Sequence, residues 1–158
     1  MTSTLFITGA TSGFGEACAR RFAEAGWKLV LTGRRAERLN ALVEELSKQT
    51  EVHGLVVDVR DRAAMEAAIA GLPPSFSKLR GLINNAGLSQ RALIAETSML
   101  TERAIMEVDY FSQVFLTKTV LPALLKQKSG RIAFVSSVAG LLGTLDNAKL
   151  LAGGQSLM

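Results

Sequence analysis

The chain has 158 residues, of which 48% are hydrophobic and 20% charged, which favours one globular domain and excludes an intrinsically disordered chain. Its 18 basic and 14 acidic residues leave a net charge of +4, and no basic run exceeds two residues or is interleaved with aromatic residues. This pattern favours a small phosphorylated ligand over a nucleic acid. One cysteine, Cys18, excludes an internal disulfide, and we expect no metal site. Charged residues interrupt every apolar run before it reaches membrane-spanning length, and the first five residues carry no export signal, so we expect a cytoplasmic protein.

Five short apolar runs predict the strands of a buried parallel sheet. Most of them are continuous rather than alternating in polarity, which is typical of strands covered on both faces. The predicted strands are residues 4–8, 28–32, 52–57, 81–84 and 131–136.

The segments between these strands have apolar residues at helical spacing. In the first two helices, the predicted inward-facing residues are Phe14, Cys18, Phe22 and Ala25, with Gly26 ending the helix, and then Leu39, Leu42, Val43 and Leu46. In the third helix they are Ala64, Met65, Ala68, Ile69 and Leu72, and Pro73 and Pro74 stop it. A long fourth helix, from about Thr101 to Gln127, has Ile105, Val108, Phe111 and Phe115 facing inward, and Pro122 should kink or shorten it. Alternating strands and helices predict an α/β fold with a doubly wound, Rossmann-like parallel sheet and helices on both faces.

A glycine-rich turn connects the first strand to the first helix. In the run from Thr8 to Gly15, Gly9 permits a sharp turn, Gly13 permits close approach of a ligand, and Gly15 permits close packing of helix on strand. Such a turn binds a pyrophosphate through its backbone N–H groups and the helix dipole. We therefore expect Gly9, Thr11, Ser12, Gly13, Phe14 and Gly15 to bind a cofactor; the alternative is a glycine turn without a ligand.

The residues after the second and third strands indicate which dinucleotide binds. An acidic residue after the second strand would favour NAD, whereas Arg34 there favours the 2′-phosphate of NADP, with Arg35 and Ser12 as supporting donors. The alternative is a solvated pair of arginines at a helix start. Asp58 and Val59 follow the third strand, where an adenine edge would pass; Asp58 could instead cap the next helix, although Asp61 is the better cap.

Taken together, these motifs resemble the short-chain dehydrogenase/reductase family of the classical type. The matching residues, in the family's order and spacing, are Thr8-Gly-x-x-x-Gly-x-Gly15, Asp58, Asn84-Asn85-Ala86-Gly87, Gly130-Arg131-Ile132 and Ser136-Ser137, and the resemblance covers residues 4 to 143. It implies hydride transfer between NADPH and a small alcohol or carbonyl substrate.

The resemblance also implies roles for residues outside the glycine turn. Asn85, Ala86 and Gly87 would line the cofactor, and Ser137 would hydrogen-bond the oxygen of the substrate. Asp109 stands where the family usually has an asparagine of the proton relay.

The family's Tyr-x-x-x-Lys pair, in which the lysine lowers the tyrosine pKa, does not occur in the sequence. It would stand at Leu150 and Gly154, and the single tyrosine is Tyr110. We therefore expect impaired catalysis. The alternatives are a non-catalytic nucleotide-binding module and a non-functional chimeric fragment.

The last eleven residues, 148–158, resemble the FAD-binding loop in the FAD subunit of molybdenum hydroxylases, but no FAD binding is inferred from so short a match. We predict a C-terminally incomplete NAD(P)-binding domain at residues 1–143 and a tail outside the family at 144–158. Such a domain would lack the last two strands of the family sheet. The fifth strand would then have an unpaired apolar edge, through which we expect a homo-oligomer.

Overall fold

The computed structural model describes residues 3–90 and 92–137, in which five parallel strands form one sheet in the order β3-β2-β1-β4-β5. The strands are β1 (Thr4–Ile7), β2 (Lys28–Gly33), β3 (Val52–Val56), β4 (Leu79–Asn84) and β5 (Arg131–Phe134). The helices are α1 (Gly13–Glu24), α2 (Ala36–Leu46), α3 (Arg62–Ala70), α4 (Met99–Met106) and α5 (Ser112–Lys126). The strand order reverses between β1 and β4, and this arrangement opens a crevice at the carboxyl ends of the strands. The predicted doubly wound α/β fold is confirmed.

Helices cover both faces of the inner strands β1, β2 and β4, which explains why these strands are largely apolar. On one face, Leu5 and Ile7 of β1 pack with residues of α1 and α2. On the other face, Phe6 packs with Met65 of α3 and Leu116 of α5. Successive residues of a strand point to opposite faces, so a strand between two helical layers needs apolar residues throughout.

The buried residues of α1 each lie one position further along the chain than the predicted ones. Gly15, Ala19 and Ala23 face the sheet, whereas Phe14 is 76% exposed. A Cβ atom on Gly15 would lie only 2.4 Å from the carbonyl oxygen of Gly9, so the start of this helix lies too close to the glycine turn for a larger side chain at that position. The predicted Cys18 and Phe22 pack against the core from its margin, and the predicted Ala25 is exposed.

A π-helical segment, Glu107–Phe111, joins α4 to α5, and the inward-facing residues after it differ from the predicted ones. Val108 is buried as expected, but Phe111 is exposed and Ser112 takes the inward position. A π-helical turn contains one more residue than an α-helical turn, so the inward position comes one residue later than regular periodicity predicts. Pro122 does not end the helix, which continues to Lys126.

The predicted helix ends are largely correct. Gly26 has φ of +76°, the left-handed conformation typical after a helix C-terminus. Asp61 caps α3 by accepting a hydrogen bond of 2.9 Å from the N–H of Ala64. The third helix ends at Ala70, earlier than predicted, because Gly71 rather than the two prolines follows its last turn.

Within residues 3–90 and 92–137, β5 is an outer strand that pairs with β4 alone, and Phe134 and Val135 are exposed. The predicted tail at 144–158, with Leu150 and Gly154, lies outside the described residues, so that boundary stays a prediction. No helix in the described part of the chain is both long and apolar enough to cross a membrane.

Candidate cofactor site

A cavity of about 670 Å³ opens at the carboxyl ends of the strands. This volume lies in the range of small-molecule and cofactor sites. Its lining comes from the end of β2, from the segments that follow β1, β2, β3 and β4, and from one residue of the π-helical segment: Gly9, Thr11, Ser12, Thr32, Gly33, Arg34, Arg35, Val57, Asp58, Val59, Asn85, Ala86, Gly87, Leu88 and Val108.

Ten of the thirteen predicted cofactor residues line this cavity, and the other three belong to the start of α1. Gly13 has φ of +58°, and a Cβ atom there would meet no other atom, so its surface is open to a ligand. Gly15 is used for packing, as predicted. Phe14 is exposed beside the glycine turn and is not part of the lining, so a cofactor contact by its side chain stays a prediction.

Thr8 connects the first and fourth strands beneath the cavity, a role the sequence analysis did not assign. Its Oγ1 accepts hydrogen bonds of 2.9 Å from the backbone N–H groups of both Asn85 and Ala86. The same hydroxyl donates to the carbonyl oxygen of Ile83 at 3.4 Å. The sequence signal for this role was the position of Thr8 at the end of a buried strand, immediately before Gly9, because a buried hydroxyl needs hydrogen-bond partners.

The side chain of Asn85 holds the glycine turn from the opposite side. Its Nδ2 donates to the carbonyl oxygens of Thr8 and Gly9 at 3.0 and 3.1 Å. Gly9 has φ of +65°, and a Cβ atom there would lie 2.8 Å from the Cα of Ala86. Glycine is therefore required at this crossing, where two loops approach each other at backbone distance.

Arg35 fixes the basic end of the cavity to the glycine turn. Its guanidinium donates to Thr11 Oγ1 at 3.0 Å and to Ser12 Oγ at 2.7 Å. A Cβ atom on Gly33 would lie 2.3 Å from Thr11 Cγ2, so the end of β2 packs directly on this turn. Arg35 also precedes α2, where a positive charge opposes the helix dipole and an anion would compensate.

Asp58 lies between two arginines at the end of β3. Arg60 Nη2 is 2.6 Å from Asp58 Oδ2, and Arg34 Nη1 is 3.7 Å from the same oxygen. The hydrogen bond from the Arg60 side chain lowers the pKa of Asp58, against an opposing effect of burial, and the charge of Arg34 lowers the pKa further. Asp58 is therefore a carboxylate at neutral pH.

Asp109 reaches the cavity wall from the π-helical segment. Its Oδ1 accepts a hydrogen bond of 2.7 Å from the N–H of Leu88, which itself lines the cavity. Burial raises the pKa of Asp109, and this hydrogen bond opposes the rise. Ser137 is exposed and follows β5, so the catalytic roles of Ser137 and Asp109 stay predictions.

Comparison with known proteins decides the family. A family model described as short chain dehydrogenase matches residues 3–149. The chain belongs to the short-chain dehydrogenase family.

The curated relatives of this dehydrogenase chain are longer than it is. It is 48% identical over 145 residues to a sulfoacetaldehyde reductase of Chromohalobacter salexigens, with 89% of the chain and 56% of the relative covered. It is 44% identical over 140 residues to a serine 3-dehydrogenase of Agrobacterium fabrum, with 88% of the chain and 55% of the relative covered. The chain thus spans about half the length of the curated relatives it matches.

Solved structures of the same family have the same fold. A crystal structure of serine dehydrogenase from Escherichia coli superposes with a TM-score of 0.83 at 34% identity, covering 96% of this chain and 69% of the other. The closed form of a serine dehydrogenase complexed with NADP+ has the same score and identity, covering 96% and 60%.

The chain's own residues fit a dinucleotide cofactor at this cavity. The glycine turn would be obstructed by a side chain at Gly9 or Gly15, while Gly13 leaves open space above the start of α1. The basic side chains Arg34 and Arg35 lie at the adjacent end, as a phosphorylated ligand requires. The geometry therefore suits a pyrophosphate at the turn and a further anionic group beside the arginines.

Proposed function

We propose that this chain binds NADP(H) in the cavity at the carboxyl ends of its strands and prefers it to NAD(H). The observation that carries the proposal is the position of Arg34, directly after β2 and 54% exposed at the cavity edge. A ribose 2′-phosphate is the group that distinguishes the two cofactors, and a guanidinium at this point recognises it with charge-assisted hydrogen bonds.

Arg35 and Ser12 support this preference in a different way from Arg34. Because Arg35 donates to Ser12 Oγ at 2.7 Å, that hydroxyl can direct its own proton away from the guanidinium, toward a ligand. The pair thus adds a positive charge and a donor beside Arg34. A solvated arginine pair without a ligand, the alternative, predicts no difference between the two cofactors.

We further propose that the ancestral reaction is hydride transfer between NADPH and a small alcohol or carbonyl compound. When bound, the nicotinamide supplies or accepts the hydride. Among this chain's residues, the Ser137 hydroxyl would hydrogen-bond the substrate oxygen, and Asp109 would hold Leu88 in the cavity wall. The relatives named for sulfoacetaldehyde and serine support a small polar substrate.

Turnover by this chain is proposed to be slow. Leu150 and Gly154 stand where a Tyr-x-x-x-Lys pair is expected, and the single tyrosine is Tyr110. General acid–base catalysis contributes roughly 100- to 10,000-fold, so we expect at least about a 100-fold deficit in kcat relative to family members that carry the pair. A junction after residue 143, followed by a tail outside the family, would explain why the pair is missing. The match to the family model, however, runs to residue 149.

The test is a titration with NADPH and with NADH, followed by the fluorescence of the reduced nicotinamide. Trp27 precedes β2 at the opposite end of the sheet and is a poor reporter of this cavity. We expect saturable binding and a lower Kd for NADPH. The variant Arg34→Gln should lose about 10- to 100-fold in NADPH affinity, the value of one or two hydrogen bonds to a charged group, without a change for NADH. Equal affinities for the two cofactors would refute the proposed preference, and binding of neither would refute the cofactor site.

A further inference from the structure

Arg60 lies outside the cavity lining but contacts a residue within it. It follows Asp58 by two positions, and its side chain is 40% exposed, against 26% for Asp58. Its Nε donates to both carboxylate oxygens of Asp58 at 3.0 and 3.1 Å, and its Nη2 donates to Oδ2 at 2.6 Å. The backbone N–H of Arg60 adds a further hydrogen bond of 3.0 Å to Oδ1.

Arg34 competes for the same carboxylate and is held less closely. Its Nη1 is 3.7 Å from Asp58 Oδ2, beyond hydrogen-bond distance. Asp58 is the single acidic partner of Arg34 within the described part of the chain. Arg60 engages both oxygens of Asp58, so the donors of Arg34 are left for another acceptor.

Without Arg60, the charge balance at this point would change. Asp58 would keep a full negative charge at the cavity edge, beside the position proposed for a 2′-phosphate. Its carboxylate could then draw Arg34 into a close pair, and two like charges would face each other across the arginine. Both effects would weaken the binding of a ribose that carries a 2′-phosphate and leave the binding of an unphosphorylated ribose nearly unchanged.

We propose that Arg60 is a specificity-determining positioning residue, which occupies the Asp58 carboxylate and thereby reserves Arg34 for the 2′-phosphate of NADP(H). This inference rests on the proposed function, since it assigns a further residue to the same preference. Arg60 acts through Asp58 and Arg34 and need not touch the cofactor itself.

The test is the ratio of the Kd values for NADH and NADPH in a set of variants at low ionic strength, where exposed charges are least screened. Arg60→Gln should weaken NADPH binding about two- to fivefold, which is the scale of an exposed ion pair, and leave NADH binding unchanged. Arg60→Lys, which keeps the charge but not the planar fork, should give an intermediate ratio and also serves if the glutamine variant fails to fold.

Two further variants separate this role from a structural one. Arg60→Gln combined with Asp58→Asn should have the same ratio as Asp58→Asn alone, because no carboxylate remains to capture Arg34. Arg62→Gln is the matched control, since this neighbouring arginine pairs instead with Glu107 at 3.8 Å, and it should leave the ratio unchanged.

The outcomes distinguish this inference from the proposed function. A wild-type chain that prefers NADPH, with an unchanged ratio in Arg60→Gln and Arg60→Lys, overturns the role of Arg60 and leaves the proposed function intact. A double variant whose ratio still differs from that of Asp58→Asn alone overturns it equally. A wild-type chain without any preference refutes the proposed function, and the role of Arg60 falls with it.

Discussion

Replacing Thr8 by valine should destabilise the fold by disconnecting the loops after β1 and β4. The substitution preserves shape but removes the acceptor of two backbone N–H groups, those of Asn85 and Ala86, each 2.9 Å from Oγ1. A buried donor without a partner costs about 1–3 kcal/mol. Because Asn85 and Ala86 are partly exposed, water can compensate in part, and we expect a total loss of about 2–4 kcal/mol.

The measurement is urea unfolding followed by circular dichroism, with linear extrapolation to water. Thr4→Val on the same strand is the matched control. Thr4 is also fully buried, but its Oγ1 has no hydrogen-bond partner among the described residues, so a methyl group there should be neutral or stabilising. Thr8→Ser, which keeps the hydroxyl, should retain more of the stability than Thr8→Val.

Equal free energies of unfolding for Thr8→Val and Thr4→Val would refute the assignment of Thr8 as the connection between the two loops. The same would follow if Thr8→Ser were as unstable as Thr8→Val, since retaining the hydroxyl would then bring no stability. The expected loss is a large fraction of the stability of a domain this size, so the difference is easily measured.

Three further predictions concern the cavity and its charges. Gly15→Ala should lower the free energy of unfolding by about 1–3 kcal/mol in urea, because the new Cβ would lie 2.4 Å from a backbone oxygen; an unchanged value would contradict the packing. Asp109→Asn should keep the hydrogen bond from Leu88 and unfold like the wild type, whereas Asp109→Ala should lose about 0.5–1.5 kcal/mol in the same assay; equal losses would show that the bond is unimportant. Asp58 has a folded pKa below its ordinary value of 3.8, so its stabilisation is complete above that pH and is lost as the pH falls through the lower folded value. The free energy of unfolding, measured from about pH 6 to about pH 2.5, should therefore decline more steeply with falling pH for the wild type than for Asp58→Asn. Parallel curves for the two proteins would rule this out.

The sheet and its layers could be predicted because each strand carries its signal locally. A parallel strand buried on both faces is apolar throughout, as in the run from Leu29 to Leu31, and this pattern does not depend on distant residues. The same is true of the glycine turn, where Gly9 and Gly13 have the positive φ that their residue type suggested. The predicted cofactor residues gathered at one edge because parallel strands place their carboxyl ends together.

What could not be predicted depends on distances between separate segments. The exposure of Phe14 follows from the close approach of α1 to Gly9, which the apolar spacing of the helix does not reveal. The exposure of Phe111 follows from the π-helical turn, which periodicity analysis assumes to be absent. The hydroxyl of Thr8 bonds partners 77 and 78 residues away; the local pattern indicates that this buried hydroxyl needs partners, but not which residues they are.

The π-helical segment also has a consequence for how this region tolerates insertions and deletions. Removing one residue from Glu107–Phe111 would restore regular winding, and α4 and α5 would keep their inward faces because the π-helical turn holds one residue beyond regular periodicity. The face of α5 that carries Leu116 and Val120 would stay in the core, and only the local backbone that presents Asp109 to Leu88 would change. We therefore expect a one-residue deletion here to disturb the contact between Asp109 and Leu88 more than the core.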